Sequence, residues 1–259
     1  MSKYLCFLKN EISLLTTYKF DLFARWIYGI TQVIVYYYLW SLSSNNPNDK
    51  HRILLYFVLF HGILNSMLTS RTASNISDAI KTADINNLIL KPISFPITQV
   101  IRTITPIIAR SIIPTILLIL GCIIYPNSFA PFSIGNLIVS LLFFSLGLIT
   151  WNVLFSVIGF IAFWTIENNS FITVVDLILN FLKGAYIPYY LFPRIFKRLL
   201  QYTPIPHFVS LPIDIYMGNF DFSLLFMNIL IYLIWFIILL SIASFLYKRG
   251  LKKYEGYGI

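Results

Sequence analysis

Apolar positions fall into long unbroken runs, without the strict alternation of a half-buried strand. The first extends from Phe20 to Leu42, with Asp21 and Arg25 confined to its opening turns. A second, 53–70, is short and carries no Asp, Glu, Lys or Arg, and a third, 103–125, is interrupted by Arg110, Pro106 and Pro114. From residue 111 to residue 166 there is no Asp, Glu, Lys or Arg, and the turn-forming residues between Tyr125 and Ser133 divide that stretch. The fourth run is therefore 134–165, the fifth 170–192 with Asp176 and Lys183 inside it, and the sixth 222–247. About 20 apolar residues cover a hydrocarbon core, and within lipid the backbone is satisfied only in helices or closed barrels. The pattern predicts an all-α polytopic membrane protein, with residues 1–259 as a single transmembrane domain of six helices. The first run is too long for a secretory h-region and no small-residue cleavage site follows it, so it is expected to remain as an anchor.

Three segments do not fit the spanning pattern. In 1–19, Leu5, Leu8, Ile12 and Leu15 repeat at helical spacing opposite Lys9, Asn10, Glu11 and Ser13, which predicts an interfacial amphipathic helix. In 71–92 the spacing predicts a short helix capped by Ser74 or Asn75. Ile76, Ile80 and Ala83 would share a stripe, and Asp78 would complement the N-terminal dipole. An apolar stripe on a polar helix between two spans invites a soluble partner. In 193–220, Pro193 suits the first position of a helix whose two sides divide Ile195, Phe196, Leu199 and Leu200 from Arg194, Lys197, Arg198 and Gln201. With Pro188, Pro204, Pro206 and Pro212 nearby, one continuous span is excluded and a dipping, re-entrant element is expected.

Composition narrows the function classes. Of 259 residues 58% are hydrophobic and 11% charged, with a mean hydropathy of +0.78. Soluble domains sit near 45–50% apolar and about 25% charged, so an ordinary cytosolic enzyme, a nucleic-acid-binding domain and a disordered chain are excluded. The net charge of +9 is then a matter of topology. With both termini cytoplasmic, Lys and Arg on the inner side outnumber those on the outer side by about two to one, as the positive-inside rule requires. Cys6 and Cys122 form no framework and read as small buried residues. The aromatic residues Tyr36–Tyr38, Trp151, Phe160, Phe163 and Trp164 suit lipid contact and interfacial anchoring.

Candidate chemistry is sparse. His51, His61 and His207 have no metal-spaced neighbours, and no phosphate loop, GxGxxG or GxSxG occurs. No metal ligand and no catalytic residue is assigned. His61 is expected to hydrogen-bond between helices, and His207 to lie in a surface loop. Ionisable groups inside spans are functional candidates. At about 1.5 Å per residue, Arg110 lies ~12 Å beyond Arg102 and Asp176 ~9 Å beyond Ser170, so the two are expected at one depth and to pair.

The order of these pieces resembles the membrane subunits of type-2 ABC exporters, in the branch of small six-span bacterial permeases. The closest likeness is Ile80-Lys81-Thr82-Ala83-Asp84-Ile85-Asn86-Asn87-Leu88-Ile89-Leu90-Lys91-Pro92, which is similar to that branch's cytoplasmic signature, with Ala83 where glycine is common. Gly184 to Pro188, Leu191-Phe192-Pro193 and Leu211-Pro212 through Met217-Gly218 resemble its outer re-entrant region, and Tyr247 to Gly256 its basic ending.

The resemblance implies that a separate ATP-binding cassette subunit, in two copies, holds ATP and Mg, while this chain carries no cofactor. It implies a coupling helix at Asn75, Asp78, Ile80, Lys81, Ala83, Asp84, Asn86, Leu88 and Lys91, and an outer re-entrant region marked by Gly184, Pro188, Pro193 and Pro212. It further implies a second permease chain, identical or not, that encloses with this one a route for an amphiphilic or hydrophobic substrate. The setting would be the bacterial cytoplasmic membrane. The competing readings are a cassette-independent carrier or channel, which calls for internal repeats and paired midplane charges, and an intramembrane enzyme, which calls for convergent His, Asp or Ser groups.

Overall fold

The computed structural model describes residues 19–42, 47–64, 67–82, 133–165, 168–218 and 220–254, with isolated helical positions between 9 and 13 and between 101 and 123. Among these residues all regular structure is helical. Helix α1 is Lys19–Ser41. Helix α2, Pro47–Phe57, continues into a π-helical stretch, Val58–Leu64. Helix α3 is Arg71–Lys81, α4 Ile134–Phe160, α5 Ala162–Thr165 and α6 Asn169–Leu182. A 3-10 turn, Tyr189–Leu191, leads to α7, Arg194–Leu200, and α8, Ile205–Tyr216. A second 3-10 turn, Phe222–Leu224, opens α9, Leu225–Lys253. There Ser223 N–H donates to Asp221 Oδ1 at 2.9 Å, which holds that exposed carboxyl below its usual range.

Among the described residues two helical stretches are long and apolar enough to cross a membrane, Ile134–Thr165 and Leu225–Lys253. The run 170–192 does not form one helix. Helix α6 has 14 residues, about 21 Å at helical rise. Its end is a Schellman stop: Gly184 adopts φ +100°, Ala185 N–H reaches Asn180 O at 3.0 Å and Gly184 N–H reaches Phe181 O at 3.2 Å. The run 53–70 also differs, because Pro47 starts α2 six residues early, a position where its missing N–H costs nothing.

Helix α4 is the common wall, contacted by α3, α8 and α9. Helices gain no hydrophobic attraction from one another in lipid, so close van der Waals approach over small residues decides their packing. Gly147 gives that approach on one side: a Cβ there would lie 2.8 Å from the Tyr232 hydroxyl of α9 and 3.3 Å from Phe208 Cα of α8. Gly159 gives it on the other, where a Cβ would lie 2.9 Å from Ile76 Cβ and 3.0 Å from Ala73 Cα of α3. The Thr72 hydroxyl adds a 2.7 Å bond to Asn152 Oδ1 across the α3–α4 seam.

Helix α8 runs antiparallel to α4. Ser140 donates to Pro212 O at 2.7 Å, while Phe208 meets Trp151 edge-on at 5.2 Å. Its first turn therefore lies beside the midpoint of α4, and its last turn near the start of α4. Helix α9 runs parallel to α4, from Tyr232 beside Phe143 to Tyr247 beside Phe160. The prolines of 188–212 set breaks between short helices. Pro193 stands one residue before α7, Pro204 immediately before α8 and Pro206 inside its first turn. His207 is consequently not in a surface loop but in the first turn of α8, 3% exposed. Trp151 and Phe160 are buried in the bundle rather than facing lipid.

Two substitutions test this packing. Gly184→Val needs a left-handed backbone that β-branched residues avoid and drives its side chain into Tyr56; it is expected to cost about 2 kcal/mol or more, read as a lower unfolding midpoint in detergent, whereas Gly135→Ala, whose Cβ meets nothing closer than 3.7 Å, leaves the midpoint in place. Gly159→Val pushes α3 off α4, so a cysteine replacing buried Ser77 in a Cys6→Ser/Cys122→Ser background becomes reactive to maleimide. Unchanged protection of that cysteine would show that the glycine does not hold the seam.

Candidate functional site

Helix α3 sits at the pole formed by the C-terminal ends of α4 and α9. Ser70 precedes it and its carbonyl accepts from Ala73 and Ser74 N–H at 3.0 and 3.3 Å. The helix thus starts earlier than a cap at Ser74 or Asn75 would place it. Eleven residues are too few for a stable isolated helix in water, and α3 is held by burying Thr72, Ala73, Ile76, Ser77, Ala79 and Ile80. Ile76 and Ile80 pack with Phe160, Phe163 and Ala243. Each such side chain is worth about 1.5–3 kcal/mol when fully buried.

The apolar stripe is therefore consumed within the chain, and Ile80 belongs to the inner face. What α3 turns outward is polar: Asp78 and Lys81 are exposed and Asn75 is partly so. The Tyr254 hydroxyl donates to Ile80 O at 3.4 Å, tying the end of α3 to the end of α9. Lys248, Lys252 and Lys253 lie on the last turns of α9 at the same pole. Ala83, Asp84, Asn86, Leu88 and Lys91 lie outside the described residues, as does Arg110. Most of the segment 1–19 does too, with Lys9, Ile12 and Ser13 helical.

Asp176 shares a face of α6 with Lys183, while its expected partner Arg110 lies outside the described residues. The Asp176 carboxylate interacts electrostatically with Lys183, seven residues on, and its Oδ1 is buried without a hydrogen-bond partner among the described residues, while the Asp176 backbone carbonyl accepts from Asn180 Nδ2 at 2.8 Å. Lys183 is fully buried. Its ammonium rests 4.5 Å from the centroid of the Trp151 ring and 6.0 Å from that of Phe60, without a hydrogen-bond partner among the described residues. The sequence signal was present, since Lys183 lies within the run 170–192 two turns beyond Asp176, a spacing that sets both on one helix face.

The segment after Lys183 gathers most of the bundle. Four consecutive carbonyls accept from side chains of different elements: Lys183 O from Ser210 of α8 at 3.3 Å and Gly184 O from Tyr56 of α2 at 3.2 Å, then Ala185 O from His61 Nε2 of the π-helix and Tyr186 O from Trp40 Nε1 of α1, each at 2.9 Å. His61 makes the interhelical bond expected of it and stacks on Tyr36 at 4.8 Å with the rings 4° from parallel. A π-helix is rare and frequent at functional sites.

At the opposite pole, Pro188 leads into the 3-10 turn that carries Tyr189 and Tyr190. The Arg52 guanidinium lies 4.5 Å above the Tyr190 ring, the Lys197 ammonium donates to Tyr190 O at 2.5 Å, and Asp214 feels both cations. Pro212 lies inside α8. Its missing N–H removes one ladder bond, and its own carbonyl is taken by Ser140. On α7, Ile195, Phe196 and Leu199 are exposed beside Arg194 and Arg198.

Among the described residues no group of His, Cys, Asp and Glu is disposed to hold a metal ion. The arrangement is mechanical: a docked helix with a polar outer face, a buried cation against aromatic rings, and a helical hairpin reaching halfway along α4. No curated protein sequence matches the chain at a significant level. Residues 19–258 match the model of the ABC-2 family transporter proteins, so the chain belongs to that family and is the membrane-embedded permease component of an ABC transporter, working with an ATPase subunit.

Proposed function

We propose that the chain is the permease of an exporter, moving an amphiphilic or hydrophobic substrate while two copies of a separate cassette subunit hydrolyse ATP with Mg. The observation that carries this reading is the seating of α3. A helix whose apolar stripe is already buried against α4 and α9 presents Asn75, Asp78 and Lys81 as a rigid polar surface. That is the surface a soluble ATPase can grip. The contact would continue through Ala83, Asp84, Asn86, Leu88 and Lys91.

Topology supports the reading. Helix α3 and the basic end of α9 share one pole, consistent with both termini in the cytoplasm under the positive-inside rule. Six spans in the bacterial cytoplasmic membrane complete the topology. The hairpin α7–α8 then lies on the outer side as a re-entrant element, and its exposed Ile195, Phe196 and Leu199 next to Arg194 and Arg198 form an amphipathic surface suited to an amphiphile. Exposed apolar faces on α1 (Ile27, Ile34) and α6 (Val174, Leu177, Ile178) are available to a second permease chain, identical or related, and the route runs between the two.

The test is assembly and dependence. Co-expression with the cassette subunit encoded beside it should yield a complex whose ATPase activity depends on this chain, and purification of the chain without an ATPase, with transport retained in liposomes, would refute the proposal. Charge reversal on the polar face, Asp78→Lys alone and with Asp84→Lys, is expected to leave α3 buried but to reduce substrate movement per ATP by about five- to 150-fold, the ordinary range of coupling energies. Full transport and cassette binding in those variants would reject the placement of the docking surface.

A further inference from the structure

We propose that Lys183 is a positioning residue that transmits movement of α3 to the hairpin α7–α8, acting through Trp151 and Asp176. The inference rests on the reading of α3 as the ATPase-docking helix. The contacts form a continuous chain. Trp151 Nε1 donates to Thr69 O at 3.1 Å, one residue before the Ser70 carbonyl that caps α3. The Trp151 ring holds the Lys183 ammonium on its π face at 4.5 Å, and the Asp176 charge acts on that ammonium from seven residues back along α6. Two contacts then enter the hairpin, one from each partner: the Lys183 carbonyl accepts from Ser210, and the Trp151 ring meets Phe208 edge-on at 5.2 Å.

A buried ammonium is an expensive component unless it is paired, and this one has only a half-buried carboxylate and a ring. Its three N–H donors make no hydrogen bond among the described residues, and Asp176 Oδ1 and Thr69 Oγ1 are buried without partners as well. Neutral packing would satisfy a static wall better. Lys183 ties α6 to α4 through the Trp151 π face, Trp151 ties α4 to the residue before Ser70 through its N–H, and the bond from Ser210 fixes the backbone end. A displacement of Thr69 therefore acts on the Trp151 side chain that supports the ammonium, and the Lys183 backbone carries that motion to α8.

The test uses the complete complex with its ATPase. In a Cys6→Ser/Cys122→Ser background, Leu199→Cys on α7, 67% exposed, is labelled with bimane, and emission is compared without nucleotide and after trapping with ATP and vanadate. The parent is expected to show a nucleotide-dependent shift. Lys183→Met, which keeps the apolar stem, and Trp151→Phe, which loses the N–H to Thr69, are expected to shrink that shift about five-fold or more, while ATP hydrolysis in the partner chain continues. If Lys183→Met does not assemble, Asp176→Leu/Lys183→Met removes both charges and is measured instead. A shift of parental size in these variants overturns the inference, as does a parent that hydrolyses ATP with no change at residue 199. A parent that never binds an ATPase overturns the reading beneath it as well.

Discussion

Four backbone carbonyls in a row, from Lys183 to Tyr186, need hydrogen-bond donors in a place where helix geometry no longer supplies them. Helix α6 ends inside the bundle, and each unpaired carbonyl there would cost several kcal/mol in an apolar medium. The donors come from Ser210, Tyr56, His61 and Trp40, one each from α8, α2, the π-helix and α1. That requirement fixes the relative positions of four elements around a segment of four residues. The left-handed Gly184 ends α6 and leaves these carbonyls without helical partners, the π-helical stretch brings His61 to one of them, and Tyr36 stacks on the His61 ring.

The second constraint is the thinness of α4 at Gly147 and Gly159. These two positions let α8, α9 and α3 approach the same helix from different sides. They also divide it into halves with separate duties. The half beyond residue 147 carries α3 and the basic pole, and the half before it carries α8. Trp151 stands at the junction, with its ring shared between Phe208 and Lys183 and its N–H given to Thr69.

Much of the architecture was legible in the chain. The uncharged stretch split at Tyr125–Ser133 delivers α4 from Ile134, and the polar helix at 71–81 is visible from its spacing. What spacing could not give was direction. Ile76 and Ile80 make the same stripe whether it faces a partner or α4, and only the absence of a side chain at Gly159 settles the matter. Asp176 was matched with Arg110 by depth, and Arg110 lies outside the described residues; the relation of Asp176 to Lys183, two turns along one helix face, was there to be read in the spacing. The Schellman stop shortens the run 170–192, because a composition pattern registers hydrophobicity and not the one left-handed glycine that ends a helix. His207 was misplaced for a related reason: prolines at 204 and 206 look like loop formers, yet both fit the start of a helix.

The hairpin that turns back beside the middle of α4 has an electrical consequence. A helix's aligned peptide dipoles leave a positive end at its first residues, and in α8 that end is enclosed by protein, with His207 and Phe208 buried. Pro206 carries no N–H and the His207 N–H is given to Pro204 O at 3.1 Å, so the hairpin sets a fixed dipole beside the middle of α4.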